Sequence, residues 1–398
     1  MAASAPRADG AAAAAAALVV FGVFLMALLV GLAGCGGGGV GSSTTGTATG
    51  GTSTDGTATG GTSSGDTAAG GGEEPTEIVL MTHDSFAVSD DVLAAFTRET
   101  GIRVRVLTSG DAGIMLNQAI LTRDNPLADV LYGVDNTFLS RALDAGLFEP
   151  YAPPALDRVP DALELDPEHR VTPIDFGDIC LNYDKEYFAS SGLAVPTSLA
   201  DLVKPEYRGL LVVENPATSS PGLAFLIATV AEFGEGGEYT WQDFWVGLAA
   251  NDVLVASGWE EAYYSDFSGG AGEGDRPLVV SYASSPPAEV IFSEQPLTEA
   301  PTGVIVDGAF RQIEFAGILA GTKAPRGARL FLDFMLSLEF QEDMPLNMFV
   351  FPANSDAALP PEFLEFTHVP PNPVSVDPWA IESDRERWIE EWTAIVLS

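Results

Sequence analysis

Short apolar runs alternate with amphipathic segments from about residue 77 to the end of the chain. Apolar or alternating runs predict strands in the first half at residues 78–81, 102–107 and 129–132. Periodic segments between them predict helices that begin near Ser89 or Asp90 and at residues 113–122 and 137–145. Because strand and helix alternate, we expect a parallel sheet with helices on both faces.

The same alternation continues in the second half. Strands are predicted at residues 210–213 and 278–282. Helices are predicted at residues 223–233, 241–248, 329–338 and 384–395, with Ser383 placed to cap the last one. About 320 residues are too many for one sheet, so we expect an α/β fold of two lobes with a ligand cleft between them.

The chain begins with an apolar stretch at residues 11–32, which is long enough to span a bilayer as a helix. It is preceded by one cation, Arg7, and followed by Leu32-Ala33-Gly34-Cys35, with small residues before a cysteine as at a signal-peptide cleavage site. These four residues resemble the lipobox of bacterial and archaeal lipoproteins, in which the cysteine is lipidated. The alternative is an uncleaved anchor. Either would place residues 36–398 outside the cell and tethered to the membrane.

Residues 36–76 form a low-complexity segment rich in Gly, Ser and Thr, in which a ten-residue repeat starts at Gly46 and again at Gly56. Such a composition cannot bury a core and predicts a flexible linker. The second cysteine, Cys180, lies in an apolar stretch and is expected to be a small buried residue. If Cys35 carries lipid, no disulfide within the chain can form.

The net charge restricts the possible partners. There are 18 basic and 56 acidic residues, so the formal charge is 18 − 56 = −38. Nucleic acid and anionic lipid surfaces are bound through Lys and Arg, so neither is an expected partner. The three histidines are far apart, and no nucleophile elbow, phosphate loop or dinucleotide fingerprint is present. The sequence therefore predicts a protein without catalytic activity, cofactor or metal.

Two segments suggest a binding site. Ser220 and Pro221 precede an apolar helix, so this is either a seat for an anion such as phosphate or an ordinary capped helix start. Residues 258–264 (Gly-Trp-Glu-Glu-Ala-Tyr-Tyr) combine aromatic residues with acids, and aromatic faces plus a carboxylate suit a planar cation; alternatively Trp259 and Tyr263 belong to the core.

Four further segments have a binding and a structural interpretation. Asp135 and Asn136 either recognise an amino group or cap the next helix, and Tyr282 either stacks on a ligand or packs inside. His83, beside Asp84, either bonds a ligand or stabilises its own loop. Phe349 belongs either to a lid or to the edge of the core.

Five segments occur together in the order found in a known family. They are residues 82–86 (Thr-His-Asp-Ser-Phe), 131–136 (Leu-Tyr-Gly-Val-Asp-Asn), 217–223 (Ala-Thr-Ser-Ser-Pro-Gly-Leu), 258–263 (Gly-Trp-Glu-Glu-Ala-Tyr) and 280–286 (Val-Ser-Tyr-Ala-Ser-Ser-Pro). This set resembles the thiamine-binding, substrate-binding proteins of ABC transporters. Residues 175–184, 205–209 and 331–341 are similar to the wider extracellular solute-binding superfamily, and the resemblance covers residues 77–398.

The resemblance implies an α/β, two-lobed periplasmic-binding-protein-like fold. We expect a signal peptide at residues 1–35, the linker at 36–76 and the binding domain at 77–398. Lobe 1 would comprise about 77–175 with part of 286–398, and lobe 2 about 176–285 with the remainder. The implied partners are thiamine and the permease and ATPase subunits of a transporter, because neither lobe supplies an ATP site. We expect a lipid-anchored monomer on the outer face of the membrane.

The resemblance also implies roles for individual residues. Asp135 would meet an amino or cationic group of the ligand, and Trp259 and Tyr282 would stack on its rings. Ser219 and Ser220, with backbone amides near Gly222, would hold a hydroxyl or phosphate. The implied set is completed by His83, Asp84, Asn136, Tyr263 and Phe349.

The chain departs from the family pattern in its aromatic residues. His83 stands where members often carry Tyr, Phe349 stands near a usual Trp, and residues 87–89 lack an expected Trp. The ligand could thus be thiamine, a phosphate ester of it or a related compound. Two alternatives remain: a ferric-ion receptor that uses Tyr263 and Tyr264, and an extracellular hydrolase.

Overall fold

The computed structural model describes residues 76–293 and 296–398. The predictions for the signal peptide, for Cys35 and for residues 36–75 lie outside the described residues. No helix within the described part is both long and apolar enough to cross a membrane.

The described residues form ten strands and twelve α-helices, with short 3₁₀ turns and one π-helical turn at Glu261–Asp266. The strands are β1 (Glu77–Thr82), β2 (Arg103–Thr108), β3 (Val130–Asp135), β4 (Phe148–Glu149), β5 (Thr172–Asp184), β6 (Leu211–Glu214), β7 (Leu254–Ala256), β8 (Leu278–Tyr282), β9 (Thr302–Leu319) and β10 (Phe351–Pro352). The helices are α1 (Asp90–Thr100), α2 (Ala112–Leu121), α3 (Leu139–Asp144), α4 (Lys185–Ser191), α5 (Ser220–Phe233), α6 (Trp241–Ala250), α7 (Ser285–Ile291), α8 (Pro325–Met335), α9 (Leu338–Gln341), α10 (Met344–Asn347), α11 (Pro361–Phe366) and α12 (Pro378–Val396).

The strands form a mixed sheet rather than the predicted parallel one. Its main order is β2-β1-β3-β9-β5-β8-β6-β7. The outer strands pair in parallel as predicted, β1 with β2 and β3, and β6 with β7 and β8. The two long central strands, β5 and β9, run antiparallel to each other and to their outer neighbours. Strand direction depends on the path of the chain between strands, which local periodicity does not specify.

Strands β5 and β9 pass from one lobe to the other. The first part of β5 pairs with the part of β9 that lies beside β3, and the last part of β5 pairs with β8. Between these parts the register shifts: Ile179 pairs with Phe310, whereas Leu181 pairs with Ile305. Extra residues in one strand break the ladder and bend it. The predicted lobe boundary at residues 175 and 176 lies just before this bulge and stays a prediction.

Three predicted helix starts differ from the structure. Helix α5 begins at Ser220, so its N-cap is Ser219 rather than Ser220. Helix α12 begins after Asp377, whose carboxylate accepts hydrogen bonds from two amides of the first turn, and Ser383 lies within the helix. Helix α8 begins at Pro325, four residues before the predicted start. In α8 and α12, proline at the first helical position is a start signal that outweighs the apolar periodicity.

The core explains why the apolar periodic segments form these elements. Helix α8 packs against β1 and α1, helix α2 packs against β1 and β3, and Trp241, Trp245 and Trp392 join α6 to α12. Cys180 is buried in β5, as predicted, with its thiol free. In such sheets ligands bind at the carboxyl ends of the parallel strands. In this fold those ends include Thr82 of β1, which precedes His83, and Tyr282 of β8.

Candidate ligand-binding cleft

A cavity lies between the two lobes and encloses about 820 Å³ of empty space, part of it open to solvent. Five residues predicted for the site line it: His83, Ser220, Trp259, Tyr282 and Phe349. The lining also includes residues that the sequence reasoning did not assign to the site, among them Asp111, Glu260, Tyr264, Ser285 and Glu314. The cleft therefore combines aromatic rings with carboxylates from both lobes.

The aromatic wall belongs to lobe 2. Trp259 stacks on Tyr263, with ring centroids 5.1 Å apart, and meets Tyr282 edge to face at 6.3 Å. Its indole Nε1 donates a hydrogen bond to Ser281 Oγ at 2.9 Å. Tyr263 is buried behind Trp259 and donates its hydroxyl proton to Glu289 at 2.7 Å. The indole is thus fixed in orientation, with part of its surface left for a ligand.

The floor of the cleft in lobe 1 is a buried polar network. His83 Nε2 lies 3.5 Å from Glu314 Oε1, and the Tyr132 hydroxyl donates to Asp175 at 2.6 Å and to Glu314 at 3.0 Å. Burial opposes the charges of His83 and Glu314, but their mutual attraction outweighs it: the pKa of His83 is raised and that of Glu314 lowered. Burial also raises the pKa of Asp175 well above its usual value.

His83 fits into this floor because of a glycine. Gly133 in β3 has φ +102°, a conformation that L side chains rarely adopt. A Cβ at this position would lie 2.2 Å from His83 Cδ2. Gly133 therefore both permits the backbone conformation and leaves room for the imidazole.

Asp111 joins the two lobes across the cleft. It caps α2 in lobe 1, where its Oδ1 accepts from Ala112 N at 2.6 Å. The same carboxylate accepts from two amides of lobe 2, Ser220 N at 3.3 Å and Trp259 N at 3.2 Å. Gln312 adds a second connection, donating from Nε2 to Ser220 Oγ at 3.0 Å. Backbone amides at the start of α5 were expected to hold an anion of the ligand, but one of them, Ser220 N, donates to a carboxylate of the protein.

Two predicted residues of the Asp-Asn segment lie outside the cleft lining. Asp135 is fully buried and accepts from the amide and hydroxyl of Thr137, and burial raises its pKa to about 7. Asn136 accepts from Ile313 N and donates to Arg311 O. The structural interpretation was that this segment caps the next helix. Asp135 instead accepts from the turn that leads to α3, whose N-cap is Phe138, and Asn136 is bonded to β9.

Three other predicted residues also lie outside the lining. Ser219 is buried behind Ser220, and Gly222 packs so closely on β6 that a Cβ would lie 2.5 Å from Glu214 O. Asp84 is exposed beside His83, with its amide donating to Gly110 O. Phe349, by contrast, lies at the cleft with φ +58° and meets Phe292 edge to face at 5.2 Å.

Comparisons with known proteins show the family to which this architecture belongs. The family model described as bacterial extracellular solute-binding protein matches residues 125–368. The chain belongs to this family. The thiamine-binding periplasmic protein of Salmonella typhimurium is 30% identical over 325 residues, which cover 80% of this chain and 93% of the relative. Members of the family bind solutes outside the cytoplasm, so the chain is an extracytoplasmic binding protein and not an enzyme, as predicted.

Solved structures of the family agree with the fold. A periplasmic thiamin binding protein superposes with a TM-score of 0.70 at 27% identity, covering 82% of this chain and 98% of that one. The ferric binding protein from Campylobacter jejuni superposes with a TM-score of 0.63 at 18% identity, covering 80% of this chain and 99% of that one. At that identity the second likeness shows the fold alone. The two-lobed α/β fold predicted from the sequence is confirmed.

The tyrosine pair considered for iron is divided between two environments. Tyr264 lines the cleft, whereas Tyr263 is buried with its hydroxyl bonded to Glu289. Among the described residues, no group of three or more His, Cys, Asp or Glu side chains is arranged to hold a metal ion. The two hydroxyls therefore do not share the cleft as a pair of iron ligands would.

Three of the residues that were not assigned to the site carried weak signals in the sequence. Asp111 follows a strand and precedes a helix, a position at which capping is the ordinary explanation. Glu260 and Tyr264 belong to the segment around Trp259, of which only Trp259 and Tyr263 were assigned to the site. Glu314 lies in the middle of β9, and only its pairing with β3 and β5 brings it to the cleft.

Proposed function

We propose that this protein binds thiamine, or one of its phosphate esters, outside the cytoplasm and delivers it to the permease and ATPase subunits of an ABC transporter. The relative from Salmonella typhimurium and the solved structure described above are both named for thiamine binding. In this proposal Cys35 carries lipid that anchors the chain to the outer face of the membrane, and residues 36–76 act as the tether. The binding protein acts as a monomer and without a cofactor.

The observation that carries the proposal is the composition of the cleft. Its lining includes the rings of Trp259, Tyr264, Tyr282 and Phe349 and the carboxylates of Asp111, Glu260 and Glu314, and none of the described residues that form it is Lys or Arg. Thiamine has two flat aromatic rings, one of which is a cation. Flat cationic rings are stabilised by stacking on aromatic faces and by nearby carboxylates. The lining thus offers both kinds of contact.

Binding would proceed by closure of the lobes. The bulge between β5 and β9 provides a place at which the central strands can bend. Ser220 and Trp259 from lobe 2 are hydrogen-bonded to Asp111 from lobe 1, and all three residues line the cavity, so a ligand in the cavity would contact both lobes at once. A ligand that makes more contacts in the closed form shifts the population toward it.

The test is isothermal titration calorimetry of the full chain, purified in detergent, with thiamine, thiamine monophosphate and thiamine diphosphate. We expect saturable binding of at least one of them with a stoichiometry of one. Ferric citrate serves as the comparison ligand, and we expect no phenolate-to-iron absorption band. Absence of binding to all three thiamine compounds would contradict the proposal.

A further inference from the structure

The three carboxylates in the cleft differ in what they already contact. Asp111 accepts hydrogen bonds from three backbone amides, two of them in the other lobe. Glu314 is paired with His83 and accepts from Tyr132. Glu260 lines the same cavity, yet among the described residues no hydrogen bond or salt bridge engages its carboxylate. Glu260 therefore faces the cleft without a hydrogen-bonding or ion-pairing partner among the described residues.

The surroundings of Glu260 are negatively charged. It lies on lobe 2, next to Trp259, whose amide contacts Asp111 of lobe 1. The groups that act on it electrostatically are Asp84 and Asp111, which are acidic, and His83. On its own segment, Glu260 in turn acts on the hydroxyl of Tyr264. Glu260 is an exposed residue; its partial desolvation and the two aspartates raise its pKa, and His83 opposes them.

We propose that Glu260 is the residue that recognises the positive charge of the ligand and makes the cleft specific for cations. Asp111 and Glu314 are compensated by contacts within the protein, whereas Glu260 lacks such compensation and stands beside the indole on which a flat ring would stack. A cation between Trp259 and lobe 1 would relieve the repulsion among Glu260, Asp84 and Asp111 when the lobes close. A neutral ligand of the same shape would leave that repulsion in place.

This inference rests on the proposed function but goes beyond it. The resemblance to thiamine-binding proteins implied Asp135 as the partner of a cationic group, but Asp135 is fully buried and bonded to Thr137. In the sequence, Glu260 was one of two acidic residues beside Trp259 whose carboxylates suit a planar cation, and neither was assigned to the site. The structure brings it to the cleft, opposite the acidic groups of lobe 1.

The experiment compares two ligands of the same shape and different charge. Thiamine carries a thiazolium cation, and 3-deazathiamine replaces that ring with a neutral thiophene. Dissociation constants for both are measured by calorimetry on the full-length wild type, Glu260→Gln and Glu260→Asp. The matched control is Glu238→Gln, which removes one exposed negative charge from lobe 2 outside the cavity lining.

For the wild type we expect tighter binding of thiamine than of 3-deazathiamine. In Glu260→Gln, thiamine affinity should fall roughly tenfold, as for loss of one partly screened ion pair, while affinity for 3-deazathiamine is unchanged or rises. Glu260→Asp should restore part of the discrimination, and Glu238→Gln should leave both affinities unchanged. Added salt should weaken thiamine binding to the wild type more than to Glu260→Gln.

Two results would overturn the inference. If Glu260→Gln weakens both ligands equally, Glu260 supports the shape of the cleft and does not recognise charge. If it changes neither affinity, the cation contacts another group. A wild type that binds thiamine and 3-deazathiamine equally well would also contradict the role of charge, while leaving the proposed function intact. A wild type that binds neither ligand nor any thiamine phosphate contradicts the proposed function itself.

Discussion

The two halves of the cleft are built differently. The lobe 1 half is a buried network in which His83 pairs with Glu314 and Tyr132 donates to Glu314 and Asp175, while His83 Nε2 and Asp175 Oδ1 have no hydrogen-bond partner among the described residues. The lobe 2 half is an aromatic wall around Trp259, held from behind by Ser281 and Tyr263, with uncompensated charge at its edge. The first half is held mainly by contacts within the protein, whereas the second exposes aromatic surface and an unpaired carboxylate that a ligand would contact. This difference predicts that changes in lobe 1 mainly affect stability and changes in lobe 2 mainly affect binding.

The largest effect is expected from Gly133→Ala, which breaks the lobe 1 network. The added Cβ would lie 2.2 Å from His83 Cδ2, and the positive φ adds backbone strain. We expect the free energy of unfolding to fall by about 2–4 kcal/mol, measured by urea denaturation. Gly101→Ala is the control, since Gly101 also has positive φ but nothing lies within 4 Å of its Cβ position. Equal losses in both variants would show that His83 packing contributes nothing.

Trp259→Ala tests the other half of the comparison. Removal of the indole deletes stacking surface and apolar burial, so thiamine affinity should fall by about 1–3 kcal/mol. Calorimetry measures the affinity, and the unfolding midpoint should change less than in Gly133→Ala. The control is Trp379→Ala, because Trp379 is exposed on α12 and does not line the cleft. An unchanged affinity in Trp259→Ala would remove the indole from the proposed site.

A smaller effect is expected from Asp111→Ala, which removes the hydrogen bonds between Asp111 of lobe 1 and two amides of lobe 2. Loss of the hydrogen bonds to Ser220 N and Trp259 N should destabilise the closed form and raise the rate of ligand dissociation, by about 1–2 kcal/mol in binding free energy. Asp111→Asn keeps only one of the two acceptor oxygens, so it can preserve the hydrogen bond from Ser220 N or the one from Trp259 N but not both, and its affinity should lie between those of Asp111→Ala and the wild type. Stopped-flow dissociation kinetics distinguish the two variants. Equal dissociation rates for Asp111→Ala and the wild type would contradict a role of Asp111 in closure.

The smallest effect concerns the pH dependence of stability in lobe 1. The pKa of His83 is raised in the folded protein, so its contribution is fully present below its usual value of 6.5 and is lost as pH rises through the raised pKa. Glu314 has a lowered pKa, so its contribution is present above 4.5 and is lost as pH falls through the lowered value. The difference in melting temperature between the wild type and His83→Gln should shrink above pH 6.5, by about 2 °C. A difference that is constant with pH would contradict the ion pair.

The fold was largely predictable from the sequence because apolar periodicity is a local property. The strands β1, β2, β6 and β8 and the helices that follow β1 and β2 lie within one to three residues of their predicted places. The two long central strands, β5 and β9, were not predicted. Their antiparallel direction was not predictable either, because it depends on which strands the chain brings together over more than a hundred residues. The start of α12 at Pro378 was missed although Pro378 and Ile381 are buried in phase with Trp388 and Trp392, because Ser383 was taken as the cap and the start signal at Asp377 and Pro378 was not used.

The site was predictable only where the sequence segment that indicates binding itself lines the cleft. Trp259 and Tyr282 line the cleft from segments whose aromatic residues are evident in the sequence. Asp111 and Glu314 reach it through contacts between distant elements, and no local pattern distinguishes them from other acids in a chain with 56. Asp135 has the residue type expected of a ligand for a cation, but its carboxylate is used by the turn that follows β3.

The most direct test of the central claim is a crystal structure of the protein grown with thiamine. We predict electron density for both rings in the cleft, with one ring stacked on Trp259 or Tyr282 and the thiazolium within about 6 Å of an indole or phenol ring. The ligand should contact both lobes, with Glu260 as the nearest carboxylate to its positive charge. An empty cleft, or thiamine bound elsewhere on the surface, would contradict the account.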